Sequence, residues 1–249
     1  LFMLVIAGGC GLLNAGGGQP SKDSANQVDT SGEETGRMEY VNRLSDELYQ
    51  SVQSSQLQNA LDKLEQLSRE ATQIQYAGIT GTEGAEAFLA AINQGKRALA
   101  RVHPSAAEIQ LSAARIRLAA DALTHPEQPM WLDYYQKIQD DIAALQQAAE
   151  KNQFDVYVRA FERLERRYSL LRPSMLINRD PSSIQQMDSL IAYFRERQND
   201  FTEMDTAMFS YVINQLQIVT DRLFWQEDEP AFLPVGPFQR PFHWITGIG

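Results

Sequence analysis

The stretch from Pro129 to Pro173 constrains the fold most, because its apolar residues recur at helical spacing in two long segments. Only three polar residues, Lys151 to Gln153, separate the segments. Residues three and four apart share one face of an α-helix, so each segment predicts an amphipathic helix. A connection this short makes the two helices an antiparallel hairpin. The second helix is expected to end at Arg172, because a residue before proline is disfavoured in helical conformation.

Comparable patterns on both sides of this hairpin predict an all-α domain over residues 37–225. We expect about eight helices in antiparallel αα-hairpins, arranged as a bundle or as a solenoid like tetratricopeptide repeats. Ser105 and Glu108 have the spacing of a capping box, and Asp180 followed by Pro181 is typical of a helix start. Gly84 and Gly95 weaken the helix predicted from Thr82, since glycine disfavours helix interiors.

Residues 1–15 resemble the apolar part of a secretory signal. Ala7 to Cys10 is similar to a bacterial lipobox, with alanine in place of the usual leucine three residues before the cysteine. Two alternatives stay open. Either Cys10 is lipidated, or a plain signal peptide is cleaved near Asn14 to Gly16 and Cys10 is lost with it. Both place the mature protein outside the cytoplasm.

Three further segments differ in composition from the helical domain. Residues 16–36 are polar and rich in glycine, which predicts a disordered tether. Residues 226–243 carry four regularly spaced prolines, which favour an extended spacer. Residues 244–249 begin with Trp244 and are otherwise mostly apolar, which we interpret as the start of a truncated transmembrane helix. We therefore interpret the sequence as a fragment at both ends.

Composition argues against several kinds of site. The net charge of −10 disfavours nucleic acid as a partner, and one cysteine excludes an internal disulfide. His103 and His125 are predicted to flank one helix, roughly 30 Å apart, too far to share a metal ion. We interpret Asp140 and Asp141 as part of a solvated helix face.

Arginines at 159, 163, 166 and 167 are likewise interpreted as a solvated face, because Glu162 and Glu165 interleave with them. An alternative is a basic strip that binds anionic lipid or wall polymer. Trp131, Tyr135 and Tyr168 are candidates for an interaction groove, although aromatic residues at helical spacing also form cores. We expect no catalytic residues, no cofactor and no metal site.

The central sequence also carries a resemblance to a known family. Residues 127–175, together with QQMDSLIAYFRER downstream, AEIQLSAARIRLAADAL upstream and WITGIG at the end, resemble the sporulation protein YpjB family of Bacillus-type bacteria. The resemblance covers about residues 37–249 and is diffuse, without chemical motifs. It implies a signal peptide, an extracytoplasmic helical domain and a C-terminal transmembrane helix.

The expected function combines these observations. The resemblance implies a sporulation-linked protein anchored in the cell membrane, with its helical domain outside the cytoplasm. We expect it to act without catalysis, by binding an unknown protein partner. The alternative is a cell-wall-associated or small-ligand-binding lipoprotein, and a cell-wall enzyme is less favoured. A deep pocket lined by Trp131, Tyr135 and Tyr168 would favour the ligand-binding alternative.

Overall fold

A computed structural model describes residues 29–103, 105–197 and 206–225, and within these ranges the chain is all helical, with no strand. The eight α-helices are α1 (Asp29–Gln53), α2 (Leu57–Ala71), α3 (Thr82–Leu99), α4 (Ala106–Thr124), α5 (Tyr135–Glu150), α6 (Phe154–Asn178), α7 (Pro181–Glu196) and α8 (Thr206–Trp225). A 3-10 helix, Met130–Tyr134, precedes α5. The predicted all-α class and the number of helices are confirmed.

The helices form four hairpins that stack in chain order. The α1–α2 hairpin packs on the next through α1 against α4 and α2 against α3. The α3–α4 hairpin packs on α6, and the α5–α6 hairpin packs on the last one through α5 against α8 and α6 against α7. A continuous apolar core lies between the hairpins. Contacts between successive hairpins are the arrangement of a helical solenoid.

The central hairpin is antiparallel as predicted, but both of its ends differ from the prediction. Trp131 lies in the 3-10 helix rather than in α5. The helix predicted to end at Arg172 continues through Pro173 to Asn178. Proline has no N–H, so the carbonyl of Ser169, four residues earlier, loses its helical donor. Arg115 Nε of α4 donates to that oxygen at 3.1 Å, which replaces the missing bond.

Two helix starts follow the expected sequence signals in different ways. Ser105 is the N-cap of α4, and its hydroxyl accepts a hydrogen bond from the Glu108 N–H at 3.4 Å. Asp180 is the N-cap of α7 and Pro181 follows it, as predicted. The Asp180 carboxylate, however, accepts from the Ser182 hydroxyl and makes no bond to the backbone N–H groups.

The glycines that weakened the prediction of α3 lie where this helix meets its neighbours. A Cβ at Gly84 would lie 2.8 Å from the Leu176 carbonyl oxygen and 2.9 Å from Ile177 Cα, both in the backbone of α6. A Cβ at Gly95 would lie 2.7 Å from Ile116 Cδ1, the end of a flexible side chain. The absence of a side chain at Gly84 therefore allows α3 and α6 to approach closely.

The first helix begins earlier than the sequence predicted. The tether was expected to extend to residue 36, but α1 starts at Asp29. Contacts to the α2 end explain the difference: the Gln75 N–H donates to Glu34 Oε1 at 2.5 Å, and Arg37 pairs with Glu70 at 3.1 Å.

The remaining terminal predictions fall outside the described residues. They are the signal or lipobox-like segment at 1–15 with Cys10, the tether over residues 16–28, the spacer at 226–243 and the apolar start at 244–249. Among the helices that are described, none has the length and apolar character needed to cross a bilayer.

Candidate interaction surface

Trp131 is a buried structural anchor. Its indole Nε1 donates to Asn178 Oδ1 at 3.1 Å, and Asn178 Nδ2 donates to the Ala122 carbonyl at 2.9 Å. The Arg179 guanidinium lies 4.8 Å from the centre of the indole ring. These contacts join the ends of α4 and α6 to the 3-10 helix, so the polar edge of Trp131 is already satisfied.

Tyr135 lies beside Trp131 and connects α5 to α8. Its ring packs at 5.4 Å from Phe224 and 5.0 Å from Trp225, and Phe224 also packs edge-on against Trp131 at 5.1 Å. The Tyr135 hydroxyl donates to Asp221 Oδ1 at 2.8 Å. Trp131 and Tyr135 are therefore brought together by the C-terminal end of α8.

Tyr168 has a different set of neighbours, on the side of α6 that faces α7. Its hydroxyl donates to Asp188 Oδ1 at 2.6 Å, and Arg172 binds the same carboxylate through two bonds of 2.8 and 2.7 Å. Burial, followed by the bond to Asp188, raises the pKa of the Tyr168 hydroxyl far above its usual value. Burial also raises the pKa of Asp188, but the bonds from Arg172 and Tyr168 outweigh burial and leave that pKa below its usual value.

A surface groove of about 560 Å³ lies over this cluster. Its charged lining residues are Glu165, Arg166, Arg172, Asp188 and Arg195. Arg195 pairs with Glu165 at 2.5 Å, and Arg172 pairs with Asp188, so the groove combines charges that are largely neutralised by each other. Of the three aromatic residues predicted to form an interaction groove, Tyr168 lines this groove, and Trp131 and Tyr135 do not.

Asp141 corrects the prediction of a solvated face on α5. Its side chain is buried, and it pairs with Arg163 at 3.1 Å and with Arg167. Arg167 also donates to the Lys137 carbonyl at 2.6 Å. Two of the four arginines interpreted as solvated thus hold α5 to α6. The sequence contained the signal, because Asp141 stands three residues after Ile138 and directly before Ile142 on the inner side of the helix.

Asp121 is a second buried carboxylate that the sequence analysis missed. It accepts from the Met130 N–H at 2.5 Å, and its other oxygen lies 2.8 Å from Nδ1 of His125. These bonds close the turn after α4. His103 lies in the loop after α3, far along the chain from this turn. Within the described ranges, no group of three histidine, cysteine or acidic side chains is placed to hold a metal ion.

The outer side of α8 exposes a row of large apolar side chains. The exposed fractions are 51% for Met208, 60% for Tyr211, 43% for Ile218 and 61% for Trp225. The opposite side of the helix is buried against α5 and α7. We define the α8 face by the residues along this row: Met208, Tyr211, Gln215, Ile218, Arg222 and Trp225. This outer row was not predicted from the sequence, although Tyr211, Ile218 and Trp225 recur at intervals of seven residues.

Comparison with known proteins identifies a family. The profile of a protein family described as sporulation protein YpjB (SpoYpjB) matches residues 38–235, well over half of the chain. No curated protein and no solved structure matches the sequence. The matched range contains α1 from Met38 onward and the whole of α2 to α8. The family expected from the resemblance of the central sequence is thus confirmed.

Proposed function

The chain belongs to the sporulation protein YpjB family, which supports a role in sporulation, and on this premise we propose that it acts as a protein-interaction domain. In this proposal it works without catalysis. It is anchored at a membrane, and its helical domain lies outside the cytoplasm.

The α8 face is the observation that carries the interaction role. Its four large apolar side chains expose on the order of 400 Å² together, about the size of the largest apolar patch on a typical monomer. Such a patch is often functional on soluble proteins. Tyrosine, tryptophan, methionine and arginine, all present in this row, are the side chains enriched in the cores of protein interfaces.

The membrane and compartment parts of the proposal are supported by the sequence alone. The apolar segment at residues 1–15 is typical of a secretory signal, and Trp244 followed by apolar residues is typical of a membrane interface. The alternative function, a lipoprotein that binds a small ligand or the cell wall, would rest on Cys10 and on a pocket shared by the three aromatic candidates. The groove beside Tyr168 does not include the other two.

The interaction role is tested by complementation. The gene is deleted in its host, and heat-resistant spores are counted after complementation with the wild-type chain, with Tyr211→Ser/Ile218→Ser, or with Val102→Ser. Val102 is 90% exposed in the loop after α3 and serves as the matched control for losing a surface apolar group. We expect the wild type and the control to restore spores and the α8-face variant to fail at equal protein abundance. Full restoration by the α8-face variant would contradict the proposal.

The compartment is tested separately. A single cysteine at Val102, in a Cys10→Ser background, is treated with a membrane-impermeant maleimide on intact protoplasts. Labelling before lysis is the expected result. Labelling only after lysis would place the domain in the cytoplasm and overturn that part of the proposal.

A further inference from the structure

We propose that the α8 face is the interface of a homodimer, in which α8 of one copy packs antiparallel against α8 of a second copy. This inference rests on the proposed function, because it names the partner of the surface assigned there.

The spacing of the α8 face fits helix-to-helix packing. Met208, Gln215 and Arg222 repeat every seven residues, and so do Tyr211, Ile218 and Trp225. The two series alternate by three and four residues, which is the spacing of the a and d positions of a coiled coil. Apolar side chains fill the whole Tyr211 series, and the other series has one apolar residue, Met208. α8 has 20 residues, which is enough for nearly three heptads. A face built on this repeat fits another helix lying nearly parallel to its axis.

The position of α8 in the fold supports the same partner. α7 and α8 form the last hairpin of the described stack, and each earlier hairpin buries its apolar sides against a neighbour. Terminal hairpins of solenoids normally carry a polar outer face because nothing covers them. Here the outer side of α8 carries four exposed large apolar side chains, so a second copy would extend the stack beyond the last described hairpin.

The side chains select the antiparallel orientation. In that orientation Arg222 lies opposite Tyr211 of the second copy, where a guanidinium and an aromatic ring attract each other. Met208 lies opposite Trp225, a favourable sulfur–aromatic pair, and Gln215 lies opposite Ile218 near the two-fold axis. A parallel pair would instead bring the two Arg222 guanidinium groups together, where like charges repel. The hydrogen bond that Arg222 now makes is exposed and goes to the neutral Gln186 amide at 3.1 Å.

Charge favours a protein over a lipid surface. Helices that lie on anionic membranes carry several lysines or arginines beside their apolar face. α8 has one basic residue, Arg222, and it stands next to Asp221. Covering the face on both copies would bury on the order of 1,000 Å², the size of a weak or transient interface, so the dimer is sought at micromolar concentrations.

The test is the oligomeric state of the whole chain, measured by sedimentation velocity from about 1 to 200 µM, a range chosen for a micromolar dimer. We expect the wild type to dimerise across this range and Ile218→Asp to remain monomeric with unchanged circular dichroism. Val102→Ser, the matched control, should dimerise like the wild type. A wild type that is monomeric at every concentration would overturn the proposal. The α8 face would then be covered by another occupant, either a lipid surface, tested with vesicles of phosphatidylglycerol and phosphatidylethanolamine, or residues 226–249 of the same chain.

The orientation is tested by disulfide crosslinking in a Cys10→Ser background. Met208→Cys and Trp225→Cys are oxidised separately and as a mixture. Crosslinking in the mixture but not in the separate samples is expected for antiparallel helices. Crosslinking of each variant with itself would refute the proposed orientation.

The dimer and the proposed function fail in different ways. If Ile218→Asp is monomeric and still restores spores, the result supports the dimer and refutes a role of the α8 face in sporulation. If the wild type is a monomer and the α8-face variant still fails to restore spores, the result supports the interaction role and shows that the partner is not a second copy.

Discussion

Replacing Gly84 with alanine should destabilise the domain, because α3 and α6 meet at this position. The new Cβ would lie 2.8 Å from the Leu176 carbonyl oxygen and 2.9 Å from Ile177 Cα. Carbon atoms in ordinary contact are about 3.5–4.0 Å apart, and neither backbone atom can rotate away. The Cβ would also collide with the Thr80 hydroxyl, which donates to the Ile177 carbonyl at 2.9 Å.

The magnitude follows from three terms. Overpacking a well-packed contact costs about 1–3 kcal/mol. Loss of the Thr80 bond adds about 0.5–1.5 kcal/mol. Alanine is the better helix former by about 0.5–1 kcal/mol, which partly offsets both. We expect a net loss of about 1–3 kcal/mol in the free energy of unfolding, or a Tm lower by roughly 3–10 °C.

The assay is urea unfolding followed by far-UV circular dichroism, with two glycine controls. In Gly95→Ala the new Cβ would contact the flexible end of the Ile116 side chain, so this variant should lose less stability than Gly84→Ala. In Gly36→Ala, within α1, the new Cβ would have no neighbour within 4 Å, so the free energy of unfolding should rise by about 0.5–1 kcal/mol. If Gly84→Ala proves as stable as Gly36→Ala, the close approach of α3 and α6 is refuted.

Three further predictions concern buried and paired charges. Asp141→Asn should lower the free energy of unfolding by about 1–3 kcal/mol. Replacing both of its arginine partners with glutamine should lower it by about 3–5 kcal/mol, because that change leaves a buried carboxylate unpaired. Urea unfolding midpoints compare the two variants, and equal losses would contradict the buried position of Asp141. Arg115→Met should lower the free energy of unfolding by about 1–3 kcal/mol in the wild type and by clearly less in a Pro173→Ala background, where alanine supplies the missing N–H. If a double-mutant cycle shows no coupling between the two positions, Arg115 does not replace the helical hydrogen bond that Pro173 removes. Asp188 has a pKa below its usual value of 3.8, so its contribution to stability is present above that value and is lost as the pH falls through the folded pKa. Asp188→Asn should therefore flatten the acid side of the stability curve by no more than about 1 kcal/mol, since the bridge is partly exposed, and an unchanged acid side would contradict the assignment.

Helix positions and pairing were predictable because their signals are local. The apolar repeat and the short connection at Lys151 to Gln153 were sufficient to predict the central antiparallel hairpin. The predicted end of α6 was wrong because Pro173 is a local signal that a distant residue overrides. Arg115 stands far from it in sequence and satisfies the carbonyl that proline leaves without a donor.

The candidate site was less predictable, because exposure depends on what packs against a helix. Trp131 and Tyr168 were both candidates for one interaction groove, and only the fold shows that Trp131 contacts α8 and Tyr168 contacts α7. The outer row of α8 was visible as a repeat of seven, yet the sequence did not show which of its two apolar sides the domain would cover.

The sequence by itself determined that the chain is helical, that its helices pair as hairpins and that its central part belongs to the sporulation protein YpjB family. The tertiary structure alone decided that Asp141 pairs with Arg163 and Arg167, that α6 passes through Pro173 and that the α8 face is exposed. Helix formation depends on neighbours three and four residues away, which the sequence shows directly. Burial and charge pairing depend on residues brought together from distant parts of the chain, and their positions exist only once the hairpins have packed.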